Sequence, residues 1–161
     1  MPAFAAWRRL ALAIPVLLVT ALALSLLPVE SADAASRRQR KIHHSWEVAG
    51  NQKGDPYRYG ANGPNAFDCS GLTQFAYKRA GLYLPRTADG QARYTRNIKR
   101  RNMRRGDLIF IHSGGDVYHV SMFAGRKNGN VMIIHSSQPG TNVKRDPMWT
   151  NSWFPGTLRR R

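Results

Sequence analysis

A chain of 161 residues has room for one domain with its own core plus short appendages. Its 25 Lys and Arg against 9 acids give a net charge of +16 and a pI near 11.2, so its surface is drawn to polyanions: nucleic acid, anionic lipid or anionic wall polymer. A single cysteine excludes an internal disulfide, and nothing resembles a helix-turn-helix or zinc finger, which argues against nucleic acid as a partner.

In chain order, Arg8-Arg9 precedes an apolar run from Leu10 to Leu27 and the small-x-small site Ala32-Asp33-Ala34. This pattern predicts a secretory signal peptide over residues 1–34, cleaved after Ala34, and an extracellular or wall-associated product. A retained membrane anchor is the competing reading, since the run is close to a bilayer-spanning length. Removing Arg8, Arg9, Glu30 and Asp33 leaves the net charge at +16. Residues 35–54 read as a basic arm, either a tether or a short leading helix. His43 and His44 lack further ligands at metal spacing, so no metal site is expected there.

Residues 55–64, rich in Gly, Pro and Asn, read as a surface turn. Tyr57 within it is read in two ways: as a hydroxyl donor to an oxyanion, or as an aromatic lid on the core. The cysteine follows in Phe67-Asp68-Cys69-Ser70-Gly71-Leu72. A helical pattern in Leu72, Phe75, Ala76 and Ala80, stopped by Gly81, puts Cys69 on the first turn of a helix. There the free N–H groups and the helix dipole favour thiolate, whereas many lone cysteines simply fill core space. Asp68 either caps this helix, orients its start or binds a substrate amine. Thr87 is a candidate N-cap for a second helix through Tyr94, with Gly90 inside it. A basic loop from Ile98 to Arg105 ends at Gly106-Asp107.

From Leu108 the period becomes two. Strands are predicted at 108–112, 117–124 and 131–136, with edge strands near 143–145 and 153–154. Helices followed by an antiparallel meander predict an α+β fold. His119 groups by alternation with Val117, Ser121 and Phe123, and His135 with Val131 and Ile133. A two-residue type I′ turn at Asn128-Gly129 puts the two histidines on opposite faces; a three-residue loop with a left-handed Gly129 puts them on the same face. A functional pair therefore predicts the bulged turn. His112 is left outside this pair.

The ordered motifs Pro56-Tyr57-Arg58-Tyr59-Gly60, Phe67-Asp68-Cys69-Ser70-Gly71-Leu72, Leu84-Pro85-Arg86-Thr87, Gln91, Arg105-Gly106-Asp107-Leu108-Ile109-Phe110, His119-Val120 and Ile134-His135-Ser136 resemble those of the NlpC-type cell-wall cysteine peptidases. The resemblance covers about residues 55–146, within a catalytic domain set at 55–161. It implies a papain-like fold, with the nucleophile at the start of a helix packed on an antiparallel sheet. It also implies hydrolysis of peptide bonds in peptidoglycan stem peptides, with the D-glutamyl–diaminopimelate bond the expected one. The residue types require no metal or other cofactor, and a monomer is expected. By the same resemblance Cys69 is the nucleophile, His119 the base, His135 the residue that orients it and Tyr57 the tyrosine near the nucleophile; Asp68 and Ser70 are read beside them as oxyanion or substrate contacts. Ala61 and Ser121 stand where that family usually has glycine. An acyltransferase or amidase on the same Cys-His-His fold, or a non-catalytic wall-binding module, is the alternative. The basic charge, including Arg37, Arg38, Arg40, Lys41, Lys99 to Arg105 and Arg159 to Arg161, is expected to draw the protein to anionic wall polymers.

Overall fold

The computed structural model describes residues 29–159. The apolar run expected to be a signal peptide lies outside the described residues, and no described helix is long and apolar enough to cross a membrane. Helix α1, Val29–Asn51, includes the expected cleavage site. The chain divides into two compact units between Ser36 and Arg37, within this helix. In the second unit, Ile42, Ser45 and Ala49 recur at helical spacing and are fully buried. That stripe makes the basic arm a leading helix and not a tether.

The two predicted helices are present. Helix α2, Cys69–Arg79, begins on Asp68, whose carboxylate accepts from the Gly71 N–H at 2.7 Å, and the chain leaves it through Gly81 at a positive φ of 69°. Gly71 is demanded by a close approach: a Cβ there would sit 2.1 Å from the Ala61 carbonyl oxygen. Helix α3, Ala88–Tyr94, is capped by Thr87, whose hydroxyl accepts from Gly90 N at 3.1 Å. Gln91 ties the helices together. Buried completely, it accepts from Thr73 Oγ1 at 2.7 Å and donates to the carbonyls of Ser70 and Pro85, each at 2.9 Å.

Six strands form one antiparallel sheet: β1 Arg96–Asn97, β2 Leu108–Ser113, β3 Asp116–Lys127, β4 Asn130–His135, β5 Lys144–Pro147 and β6 Trp153–Thr157, in the order β1-β6-β2-β3-β4-β5. Strand β1 and the 3₁₀ turn Arg100–Asn102 fall close to or within the stretch read as a basic loop. Leu108, Phe110, Val120, Met122 and Ile134 pack with the helices through Leu72, Ala76 and Tyr77. Ile109, Ile111, Phe123, Ile133 and Trp153 form a second cluster. Each fully buried side chain of this size contributes about 1.5–3 kcal/mol.

Asp107, buried completely, accepts from Thr157 Oγ1 at 2.6 Å, Arg104 N at 2.7 Å and Arg159 Nη2 at 2.7 Å. Arg159 was expected among the free surface charges; it is instead held in an internal ion pair. Arg160 and Arg161 lie outside the described residues.

Two bulges in β3 set which way its side chains face, and the second decides whether the histidines share a face. Ile111 pairs with His119 but His112 with Val117, so Tyr118 is an extra residue. The insertion turns Val117 to the helix-side cluster, and the expected grouping of Val117 with His119 does not hold. Further along, Phe123 pairs with Ile133 and Gly125 with Met132, leaving Ala124 extra. Gly125 adopts φ 108°, and the Ala124 carbonyl accepts from Arg145 Nη2 at 3.0 Å. The turn itself is the two-residue kind: Lys127 faces Asn130, with Asn128 at φ 50° and Gly129 at φ 79°. The prediction of a bulged turn is therefore corrected. The added residue sits in the strand, and it restores the shared face that a type I′ turn alone would have lost.

Candidate active site

A groove of about 920 Å³ gathers residues from both layers, among them Tyr57, Asp68, Cys69, Ser70, Arg86, His119, His135, Asp146 and Trp149. Cys69 is the first residue of α2 and half-buried. His119 follows the first bulge of β3 and His135 ends β4; they are only 5% and 2% exposed. Their rings meet edge to face, with His119 Nε2 3.1 Å from His135 Nδ1. This leaves Nδ1 as the His119 nitrogen not engaged by His135. On its other side, His135 Nε2 lies 3.2 Å from Asp146 Oδ2, and the same oxygen accepts from Lys144 Nζ at 2.9 Å. Trp149 lies against both imidazoles, with ring centres 5.7 Å from His119 and 5.2 Å from His135. His112 packs instead near Phe154, at 5.8 Å between ring centres, and does not line the groove.

Burial pushes the Cys69 thiol above its ordinary value, and the hydrogen bond from the Val120 backbone is the first influence opposing it, aided by the Ser70 backbone and hydroxyl. This corrects the expectation of a ready thiolate: at this helix start, loss of water outweighs the local N–H groups. Burial, reinforced by neighbouring His135, lowers His119 to about 3. Burial also lowers His135, against the pull of the Asp146 hydrogen bond. Both shifts favour the uncharged forms, a thiol at Cys69 and a neutral imidazole at His119, in the same groove.

Tyr57 is anchored by its backbone, donating to the Thr141 carbonyl at 2.8 Å. Its phenol is raised by burial first and then by neighbouring Cys69 and Asp68, so it stays protonated and keeps a hydrogen to donate. Asp68 and Ser70 line the groove, but their polar atoms are already engaged. Arg86 Nη1 donates to Asp68 Oδ1 at 3.0 Å and to Ser70 Oγ at 2.9 Å, Arg86 Nη2 donates to the second Asp68 oxygen, and Gly60 N reaches that oxygen at 2.9 Å. Asp68 is thereby the helix cap that was one of its expected roles.

Asp146 and Trp149 escape a sequence reading, because only the β4–β5 register, which pairs His135 with Lys144 and Ile133 with Asp146, places them. Arg86 lies in a motif, but its partners are separated from it by a whole helix.

The NlpC/P60 family matches residues 54–161, and the chain belongs to that family. It is 38% identical over 120 residues to a probable endopeptidase of Corynebacterium glutamicum, covering 74% of this chain and 54% of that protein. To a bifunctional muramidase/DL-endopeptidase of Bacillus subtilis it is 39% identical over 89 residues, covering 53% of this chain and 26% of that protein. The fold matches the peptidoglycan hydrolase RipB of Mycobacterium tuberculosis with a TM-score of 0.67 at 26% identity, covering 78% of this chain and 68% of that one. The chain thus spans about half the length of the first relative and a quarter of the second. Its helices and antiparallel sheet form the α+β, papain-like arrangement expected.

Proposed function

We propose that this protein is a secreted cysteine endopeptidase that hydrolyses peptide bonds in peptidoglycan stem peptides. The observation that carries the reading is the His119–His135 hydrogen bond set in the same groove as a cysteine at a helix start. As the amide carbonyl arrives, His119 Nδ1 takes the Cys69 proton and Sγ bonds to the carbonyl carbon. The oxyanion is held by the Tyr57 hydroxyl and the Cys69 N–H; removing one such donor costs about 3–4 kcal/mol at comparable sites. Protonated His119 gives its proton to the leaving amine as the C–N bond breaks. Water, deprotonated by His119, then attacks the thioester, and the C–S bond breaks to release the acid and regenerate the thiol. Asp68, held by Arg86, and Ser70 shape the acyl side of the groove.

The scissile bond is the one between D-glutamate and the diamino acid, a choice supported by the DL-endopeptidase named among the relatives. Secretion is supported by Arg8-Arg9, the apolar run and Ala32-Asp33-Ala34, and attraction to anionic wall polymers by the charge of +16. Digestion of purified peptidoglycan, with fragments identified by mass, tests the reading. Stem-peptide fragments newly ended at that bond are expected from the wild type and not from Cys69→Ala; intact walls, or release of glycan alone, would reject it.

A further inference from the structure

We propose that Asp146 is a positioning residue that fixes the proton on His119 through His135, extending the cysteine–histidine–histidine arrangement by a fourth member. A carboxylate can only accept hydrogen bonds, and a neutral imidazole has one donor nitrogen and one acceptor. Facing Asp146 Oδ2 at 3.2 Å, His135 Nε2 must carry the hydrogen, so His135 Nδ1 is an acceptor. At 3.1 Å from it, His119 Nε2 must be the donor, and the His119 lone pair is left on Nδ1. That lone pair is what the thiol proton needs.

The reverse tautomer of His135 is equally able to bridge the two rings. With its hydrogen on Nδ1 it would donate to His119 Nε2, and the His119 hydrogen would move to Nδ1, where it blocks acceptance of a proton. Among the described residues no other hydrogen bond to the His135 ring chooses between these states: Lys144 pairs with the carboxylate, and Trp149 makes a ring contact. The choice therefore rests on an ionised Asp146. Its partial burial works against ionisation, but hydrogen bonds from Lys144 and His135 more than offset this and hold it below its ordinary range. The β4–β5 ladder, pairing Ile133 with Asp146 and His135 with Lys144, sets the carboxylate where it can reach the ring. Asp146 also faces the positive charge that passes through His119 during turnover, one imidazole away.

The proposal rests on His119 acting as the base for Cys69, but its first test does not need turnover. In ¹⁵N-histidine spectra of the wild type at neutral pH, with His119 and His135 assigned through His119→Gln and His135→Gln, both rings should carry hydrogen on Nε2. A hydrogen on Nδ1 of His135 in the wild type would overturn the proposal outright. In Asp146→Ala the His135 signals should shift toward a mixture of tautomers, and in the isosteric Asp146→Asn also, since an amide can donate as well as accept. On a stem peptide both variants should lose about 10- to 100-fold in kcat with KM little changed. Asp116→Asn, which removes a carboxylate from the exposed start of β3, should match the wild type. Wild-type kcat in both Asp146 variants, with unchanged tautomers, would refute the role of Asp146 and leave the peptidase reading intact. Absence of hydrolysis in the wild type would refute that reading while the spectra still decide the tautomer.

Discussion

The two halves of the groove are held in different ways. On the helix side the turn that carries Cys69 is fixed redundantly: Asp68 receives Gly71, Gly60, Ser70 and Arg86, while Gln91 holds the Ser70 carbonyl and the Thr73 hydroxyl. On the sheet side the proposed base is held in single file, from His119 to His135 to Asp146, with one hydrogen bond per link. A network with several paths tolerates loss of one bond, whereas a chain transmits every break to its end. The helix side thus sets position, and the sheet side sets protonation.

Breaking the chain nearest the thiol should have the largest effect. His119→Ala removes the proposed base and is expected to cost about 10⁴-fold or more in kcat. His135→Gln should retain more activity than His135→Ala, because an amide can still accept from His119 Nε2, and His112→Ala should match the wild type. Equal losses at His112 and His119, measured on one stem peptide, would mean that the base has been misassigned.

The helix side is broken most effectively through backbone. Gly71→Ala drives a methyl against the Ala61 carbonyl, at 2.1 Å before relaxation, and is expected to destabilise the fold by about 1–3 kcal/mol in denaturant unfolding. It should also reduce kcat, because the Cys69 turn must move. Arg86→Gln, by contrast, leaves Asp68 with its backbone donors. The Arg86 side chain is about one third exposed, so the expected loss is at most about fivefold in kcat, roughly 1 kcal/mol. A loss at Arg86 larger than that of Asp146→Asn would erase the distinction between network and chain.

A smaller effect concerns stability against pH. In the folded state His119 is lowered to about 3 from an ordinary 6.5, by burial first and His135 second, so between those values the unfolded chain binds a proton that the native one refuses. Stability from this group is present above pH 6.5 and is lost as pH falls toward about 3. Thermal unfolding of wild type and His119→Gln across this range should show the flatter profile in the variant; parallel profiles would mean that His119 is not buried neutral.

Part of this arrangement could be read directly from the chain. The caps at Asp68 and Thr87, the stop at Gly81 and the strands from Leu108 onward depend on local residue chemistry, and they stand where expected. Helix α1 was harder to see because basic residues from Arg37 to Lys41 surround its thin apolar stripe. The shared face of the histidines depends on the bulge at Ala124, which is settled by the pairing of β3 with β4 and not by the turn residues. Asp146 and Trp149 are invisible for the same reason, and the raised thiol reflects burial that only the packed fold supplies.

Covalent capture at Cys69 tests the central claim most directly. Wild-type protein mixed with a stem peptide, quenched in acid within one turnover and digested for mass analysis, should carry the acyl fragment ending in D-glutamate on the Cys69 peptide. The same treatment of Cys69→Ala should give no adduct and no cleavage. Cleavage by Cys69→Ala, or wild-type turnover with the acyl group on any other residue, would contradict the account.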